Sequence, residues 1–226
     1  MLLLAIDTSG KQGSIALARA GEPTAEGDFE MIEIGPLVGG TFSAQLIPQI
    51  SELLARNGFM KTAIGAFAVA SGPGSFTGLR IGLAAVKALA EVLEKPIAAV
   101  SLLEVCAVSS GAQGKIMAAL DAGRGDVYVG GYEISETPAQ APREQILTRS
   151  EFLVQAQGWT VVTPDSVLAE AASAAGLSVS TLPPISADAV ARLGWRKIQS
   201  GEVVTPEQLE ANYIRRTDAE IEKSGR

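Results

Sequence analysis

The apolar run Ile64 to Ala70 leads straight into Ser71-Gly72-Pro73-Gly74-Ser75-Phe76-Thr77-Gly78-Leu79-Arg80-Ile81-Gly82, and that segment opens a second apolar stretch, Leu79 to Glu94. The first run reads as a buried strand, the last as a helix, and the glycines and proline between them as a tight turn. A strand that turns at once into a helix belongs to an α/β layer architecture. Backbone N–H groups gathered at such a helix N-terminus suit an anion or a phosphate. On this reading Gly72, Pro73, Gly74, Ser75, Thr77 and Gly78 form a candidate anion- or nucleotide-binding loop. The spacing G-x-G-x-x-x-G is neither the Rossmann fingerprint nor a Walker A loop, which would end in Gly-Lys-Ser/Thr. The same residues also serve a plain structural reading. Gly72 and Gly74 would supply positive φ, Pro73 would stiffen the turn, and Thr77 would cap the helix.

Two other regions share a pattern. Leu2 to Ile6 is an apolar run that ends in Asp7-Thr8-Ser9 and is followed by a second strand candidate, Ser14 to Ala18. Ile116 to Leu120 ends in Asp121-Ala122-Gly123 and is followed, after Arg124-Gly125-Asp126, by the alternating stretch Val127 to Tyr132. An acidic residue closing a central strand, repeated 114 positions later, suggests a duplicated unit. Ser43 to Asn57 reads as an amphipathic helix with Leu46, Ile47, Ile50, Leu53 and Leu54 on one face, and Pro48 in its first turn or at a kink. Ile97 to Val100 and Thr160 to Thr163 read as strands. Helices are expected at Leu102 to Ser109, Ser150 to Gln157, Asp165 to Ala175 and Ala187 to Ser200, with Asp165 capping the third. Ser135 to Arg143 reads as a loop or edge, and Arg192, Arg196 and Lys197 as a solvated helix face.

Composition removes most routes to chemistry. The 226 residues hold no histidine, which excludes His-based zinc sites and Ser-His or Cys-His catalysis. The lone Cys106 sits among apolar residues and reads as a buried, inert thiol; one cysteine permits no intrachain disulfide, which fits a cytoplasmic location. The net charge of −7 argues against unaided nucleic-acid binding, because phosphate contacts carry most of that affinity. No apolar stretch is long enough for a membrane span, and Met1 to Ile6 is too short for a signal sequence.

Four stretches point to one family. Ser71 to Gly82 (SGPGSFTGLRIG) closely resembles the signature loop of the TsaB (YeaZ) proteins, relatives of TsaD once grouped with the M22 glycoproteases. Leu2 to Ser9 (LLLAIDTS), Ala119 to Tyr128 (ALDAGRGDVY) and Tyr213 to Arg215 (YIR) resemble the same family. The resemblance implies an actin-like ATPase fold of two ribonuclease-H-like halves, residues 1–100 with 201–226 and residues 101–200. It implies a part in making threonylcarbamoyladenosine in tRNA, as a non-catalytic scaffold for the catalytic, metal-binding TsaD, with TsaE as an associated ATPase and tRNA contacted only through the complex. TsaD-like proteins use a His-x-x-x-His metal motif, and this chain has no histidine.

The resemblance also assigns places. Asp7 and Thr8 stand where actin-like proteins bring a carboxylate to a nucleotide's metal, though Asp7 could equally cap its own turn. No catalytic or metal-binding residue is implied for this chain and no cofactor is required; ATP or ADP would belong to the interface with TsaD. Tyr213 and Arg215 would lie near the partner-facing domain. The helices of the first half would pair with TsaD, through Leu46, Gln49, Ile50, Leu53, Leu83, Val86 and Lys87, and Leu83→Glu would then break the complex and spare the fold. Without TsaD the same face would form a homodimer. Relatives often carry a histidine where this chain has Phe42, a position suited to packing. Two rival readings are a small actin-like phosphotransferase binding ATP at Gly72 to Gly78, and a peptidase, which the missing histidines disfavour.

Overall fold

The computed structural model describes residues 1–21, 29–37, 41–134 and 144–214. These residues divide into two compact units, the first drawn from 1–105 and 185–211, the second from 106–184 and 212–214.

In the first unit β1 (Leu2–Asp7), β2 (Gly13–Ala20), β3 (Phe29–Leu37), β4 (Ile64–Gly72) and β5 (Ile97–Ser101) form one sheet in the order β3-β2-β1-β4-β5. β1, β2 and β3 are antiparallel neighbours, while β4 and β5 run parallel to β1. β1 is central and buried along its whole length, which is why it reads as an unbroken apolar run instead of an alternating one. One face of the sheet carries Leu2, Leu4, Ile6, Phe67 and Val69, which join the core cluster formed with α1 (Phe42–Arg56) and α2 (Phe76–Leu93). Against the same sheet, in contact with β1, β2, β4 and β5, packs α6 (Ala187–Gln199). It approaches closely: a Cβ on Gly194 would stand 2.4 Å from the Ala68 Cβ.

The second unit repeats the plan. β6 (Gly114–Gly123), β7 (Asp126–Ile134), β8 (Gln145–Thr148), β9 (Thr160–Thr163) and β10 (Ser178–Thr181) lie in the order β10-β9-β6-β7-β8. Again the first three strands are antiparallel neighbours and the last two run parallel to the first. The two ribonuclease-H-like halves are thus one topology used twice, and the fold is of the actin-like class. α4 (Arg149–Gln155) opens on a capping box of Thr148 and Glu151, and α5 (Ser166–Ala174) on Asp165, whose Oδ1 accepts from the N–H groups of Val167 and Leu168. α3 (Leu102–Ser109) follows β5 directly.

Three expectations need correction. The second half does not run to residue 200: α6 belongs to the first unit, because its apolar face (Val190, Leu193, Trp195, Ile198) is buried there. Residues 212–214 group with the second unit instead of the first. Lys197 is not part of a solvated face: its Nζ lies 3.0 Å from Glu104 and 3.2 Å from Glu202. Burial pulls its pKa down, but the two carboxylates outweigh that and hold it above the usual lysine range. The expected loop at Ser135 to Arg143 lies outside the described residues.

Candidate functional site

The glycine-rich loop joins β4 to α2 and rests on the C-terminal end of β1. Gly72 has φ 124° and precedes a cis Pro73, so its freedom is used for backbone conformation. Gly74 and Gly78 serve a different purpose, which is close approach. A Cβ at Gly74 would lie 2.7 Å from the Ser9 carbonyl oxygen, and one at Gly78 only 1.9 Å from that of Thr8. Positive φ therefore explains Gly72 but not Gly74. The helix cap is Ser75 and not Thr77: the Gly78 N–H donates to Ser75 Oγ at 3.2 Å, and the Leu79 N–H donates to the Ser75 carbonyl at 2.8 Å. α2 accordingly starts at Phe76, three residues before the apolar pattern sets in.

The loop and the end of β1 are tied in both directions. The Ser75 N–H donates to the Ser9 carbonyl at 2.7 Å, and Thr8 Oγ1 donates to the Gly78 carbonyl at 2.8 Å. Ser71 Oγ donates to the Val100 carbonyl at 3.1 Å, which fixes the loop to β5 as well. Asp7 is only 4 % exposed. Its Oδ1 accepts from the Ser9 N–H at 2.9 Å and from Ser9 Oγ at 2.6 Å, the self-capping arrangement that a buried Asp favours at a strand end. Burial pushes the Asp7 carboxyl above its ordinary value, against the opposing pull of the two bonds from Ser9. Asp121, its counterpart on β6, is exposed and accepts from the Gly123 N–H at 3.1 Å. The duplication is one of topology, not of chemistry.

These facts bear on a nucleotide with its metal. Asp7 spends one oxygen on Ser9, and the loop's Gly74 and Gly78 are seated on the chain's own carbonyl groups. Among the described residues no three His, Cys, Asp or Glu side chains come together to hold a metal ion. The residues present do not fit a metal–nucleotide complex held by this loop. Burial pushes the Cys106 thiol up to about 12, far from the thiolate a nucleophile needs.

Asp7→Asn gives a pH-dependent signature. Asn retains the oxygen that accepts from Ser9 and removes the buried charge. The folded-state pKa of Asp7 is raised, so its contribution to stability is complete below the ordinary carboxylate range and is lost as pH rises through the folded value. Melting temperatures measured from pH 4 to pH 8 should show the Asn variant ahead of the parent at pH 8, with the gap closing towards pH 4. A gap that stays flat or widens on acidification would rule out the buried charge as its cause.

The expected partner face is placed differently by the structure. Leu46, Ile50 and Leu53 on α1, and Leu83 and Val86 on α2, are all buried in the first unit's own core. The i, i+3, i+4 stripe covers this chain's sheet, and only Gln49 and Lys87 of the set remain half-buried. The outer side of the pair carries Ala44, Ile47 and Ser51 on α1, with Ala84, Ala88 and Val92 on α2. Phe42 is half-buried against the core, so at this position packing does suit it. Tyr213 is 43 % exposed, and Arg215 lies outside the described residues. Sequence reasoning missed Ser9, which ties both Asp7 and the loop, because a serine two residues after an aspartate carries no pattern of its own.

The family model for TsaD, described as tRNA N6-adenosine threonylcarbamoyltransferase, matches residues 37–207. The chain belongs to this TsaD-related family, which includes the TsaB (YeaZ) proteins. It is 34% identical over 139 residues to the tRNA threonylcarbamoyladenosine biosynthesis protein TsaB of Escherichia coli K12, covering 60% of this chain and 57% of that one. Against TsaB of Bacillus subtilis 168 it is 37% identical over 134 residues, covering 59% and 56%. The matched stretches thus span under three fifths of these relatives' own lengths. Among solved structures, YeaZ from Pseudomonas aeruginosa is similar with a TM-score of 0.72 at 28% identity, over 94% of this chain and 99% of that one.

Proposed function

We propose that this chain is a non-catalytic scaffold subunit in the synthesis of threonylcarbamoyladenosine in tRNA, acting by binding a TsaD-type transferase. The observation that carries the reading is the loop at Gly72 to Gly78. In an enzyme it would receive a ligand, and here it receives the chain's own Thr8 and Ser9. Its Ser75 amide and Gly78 carbonyl hold the end of β1, so the segment stabilises the first unit. With no histidine in the chain, the His-x-x-x-His ligands of a TsaD-type metal centre are missing from it.

The surface that serves the partner is then the outer side of α1 and α2. Alanines at 44, 84 and 88 keep it low, which lets another helix approach closely, while Ile47 and Val92 supply apolar area. In the absence of the transferase a second copy would cover the same side. ATP or ADP would sit at the interface with the transferase, TsaE would join the assembled pair, tRNA would be reached only through the complex, and the assembly would be cytoplasmic.

The test is size-exclusion chromatography with light scattering of this protein mixed with the TsaD-type transferase of the same organism. A heterodimer is expected, lost in the double variant Ile47→Glu and Ala84→Glu, whose melting temperature should match the parent's because both positions are exposed. Two separate peaks for the unaltered proteins would overturn the reading. A heterodimer untouched by the double variant would keep the partner and move the interface elsewhere.

A further inference from the structure

We infer that residues 185–211 form an exchangeable clasp, so that a second copy of this chain closes the first unit with its own clasp in place of the native one. The inference stands apart from the proposed function, since it concerns only how the first unit is closed.

The first unit is assembled from two stretches, 1–105 and 185–211, with residues 106–184 between them in the chain. The later stretch holds the sheet of the earlier one on both faces and at one edge. On one face lies α6, with Val190, Leu193, Trp195 and Ile198 buried and Gly194 set against Ala68. Ala68 alternates with Phe67 and Val69, whose side chains point to the other face. At the edge the Val204 N–H donates to the carbonyl of Ile97, the first residue of β5, at 2.8 Å. On the far face Leu209, 1% exposed, joins the core formed with α1 and α2. Two polar contacts fix the position of the clasp. The Ala187 N–H donates to Ser14 Oγ at 2.8 Å, a buried bond that caps α6 where its own Ser186 side chain does not. Lys197 Nζ lies 3.0 Å from Glu104.

All of these contacts join residues of the first stretch to residues of the clasp, and one peptide bond, 105–106, ties the first stretch to the chain that carries the clasp. What fits this sheet is therefore known, and a second copy carries the same segment. Exchange between two copies restores every contact within the first unit and costs the free motion of one molecule. The chain redirects at Ser110 to Gln113, which is neither helix nor strand and includes Gly111 with φ 65°. A second copy competes once its concentration approaches that of the tethered clasp, on the order of millimolar for a flexible tether.

Glu104 and Lys197 lie on opposite sides of the exchange, which supplies the test. One full-length chain carries Glu104→Lys and another Lys197→Glu. Both also carry Ile47→Glu and Ala84→Glu, so that the outer side of α1 and α2 holds no dimer. Each closed monomer then sets like charges together. In the exchanged pair of unlike chains the two altered residues meet with opposite charge, and the original Glu104 and Lys197 meet again. Glu202 lies 3.2 Å from Lys197 and travels with it in every species, so its effect is common to all. The chains are unfolded in urea, mixed, refolded together at about 0.5 mM and read by native mass spectrometry. The expected product is a dimer holding one copy of each chain, roughly tenfold more abundant than the dimer from either chain refolded alone. Monomers only, a dimer that pairs like chains as readily as unlike ones, or a mixture that stays unfolded would each overturn the inference.

Discussion

Gly78→Ala should abolish stable folding. The added Cβ would stand 1.9 Å from the Thr8 carbonyl oxygen, a backbone atom at the end of the central strand. Neither side can yield cheaply. Moving the start of α2 breaks the 2.7 Å bond from the Ser75 N–H to the Ser9 carbonyl and the 2.8 Å bond from Thr8 Oγ1 to the Gly78 carbonyl. Moving β1 disturbs a strand paired on both sides. A cost of roughly 4 kcal/mol or more is the scale of such backbone collisions, against a total domain stability of about 5 to 15 kcal/mol. Gly82→Ala should cost less, though its Cβ would meet Thr8 Oγ1 at 2.4 Å. That hydroxyl can rotate away at the loss of one hydrogen bond, about 0.5 to 1.5 kcal/mol. Gly10→Ala, whose Cβ would meet nothing nearer than 3.4 Å, provides the control. Urea midpoints in the order Gly10→Ala, Gly82→Ala, Gly78→Ala from most to least stable would bear the geometry out. A Gly78→Ala variant as stable as the control would mean that the loop does not sit on Thr8.

The second large effect reverses an expectation drawn from sequence. Leu83→Glu should unfold the isolated chain and not merely detach a partner, because Leu83 is 5% exposed within the core of the first unit. Truncating a core leucine alone costs about 2 to 5 kcal/mol, and a carboxylate placed among apolar side chains adds its own desolvation. Circular dichroism on the purified variant decides the matter. A native spectrum with a parental melting temperature would mean that α2 turns its Leu83 side outward after all.

That reversal marks how far the sequence was legible. Apolar runs located β1, β4, β5, β6 and β9, and turn residues located the β4–α2 junction. Helical periodicity found α1, α2, α5 and α6 to within a few residues. What periodicity identifies is the side of a helix that is buried, and it is silent on whose core buries it. Leu46, Ile50, Leu53, Leu83 and Val86 were therefore read as a partner's footprint when they belong to this chain's own sheet. The same silence concealed where α6 goes: its pattern promised an apolar face, but only Gly194 against Ala68 reveals the sheet it meets. β3 was missed because its burial is mixed and a proline lies near its end, and β8 and β10 because these short edge strands, unlike the equally short β9, are nowhere fully buried. At the candidate site the glycines were visible at once. Their purpose was not, since a glycine kept for positive φ and one kept for closeness are written with the same letter.

The placement of α6 has a consequence for how this protein is made. Its residues leave the ribosome after residues 106–184 of the second unit, yet they cover the sheet built from the first strands of the chain. The first unit thus waits with one side of its sheet bare while residues 106–184 are synthesised, and closes only when residues 187–199 arrive. The sheet of the second unit is bounded by no such delay, since its five strands follow one another in the chain without a segment of the first unit between them. Vectorial synthesis would complete the later sheet before the earlier one is covered.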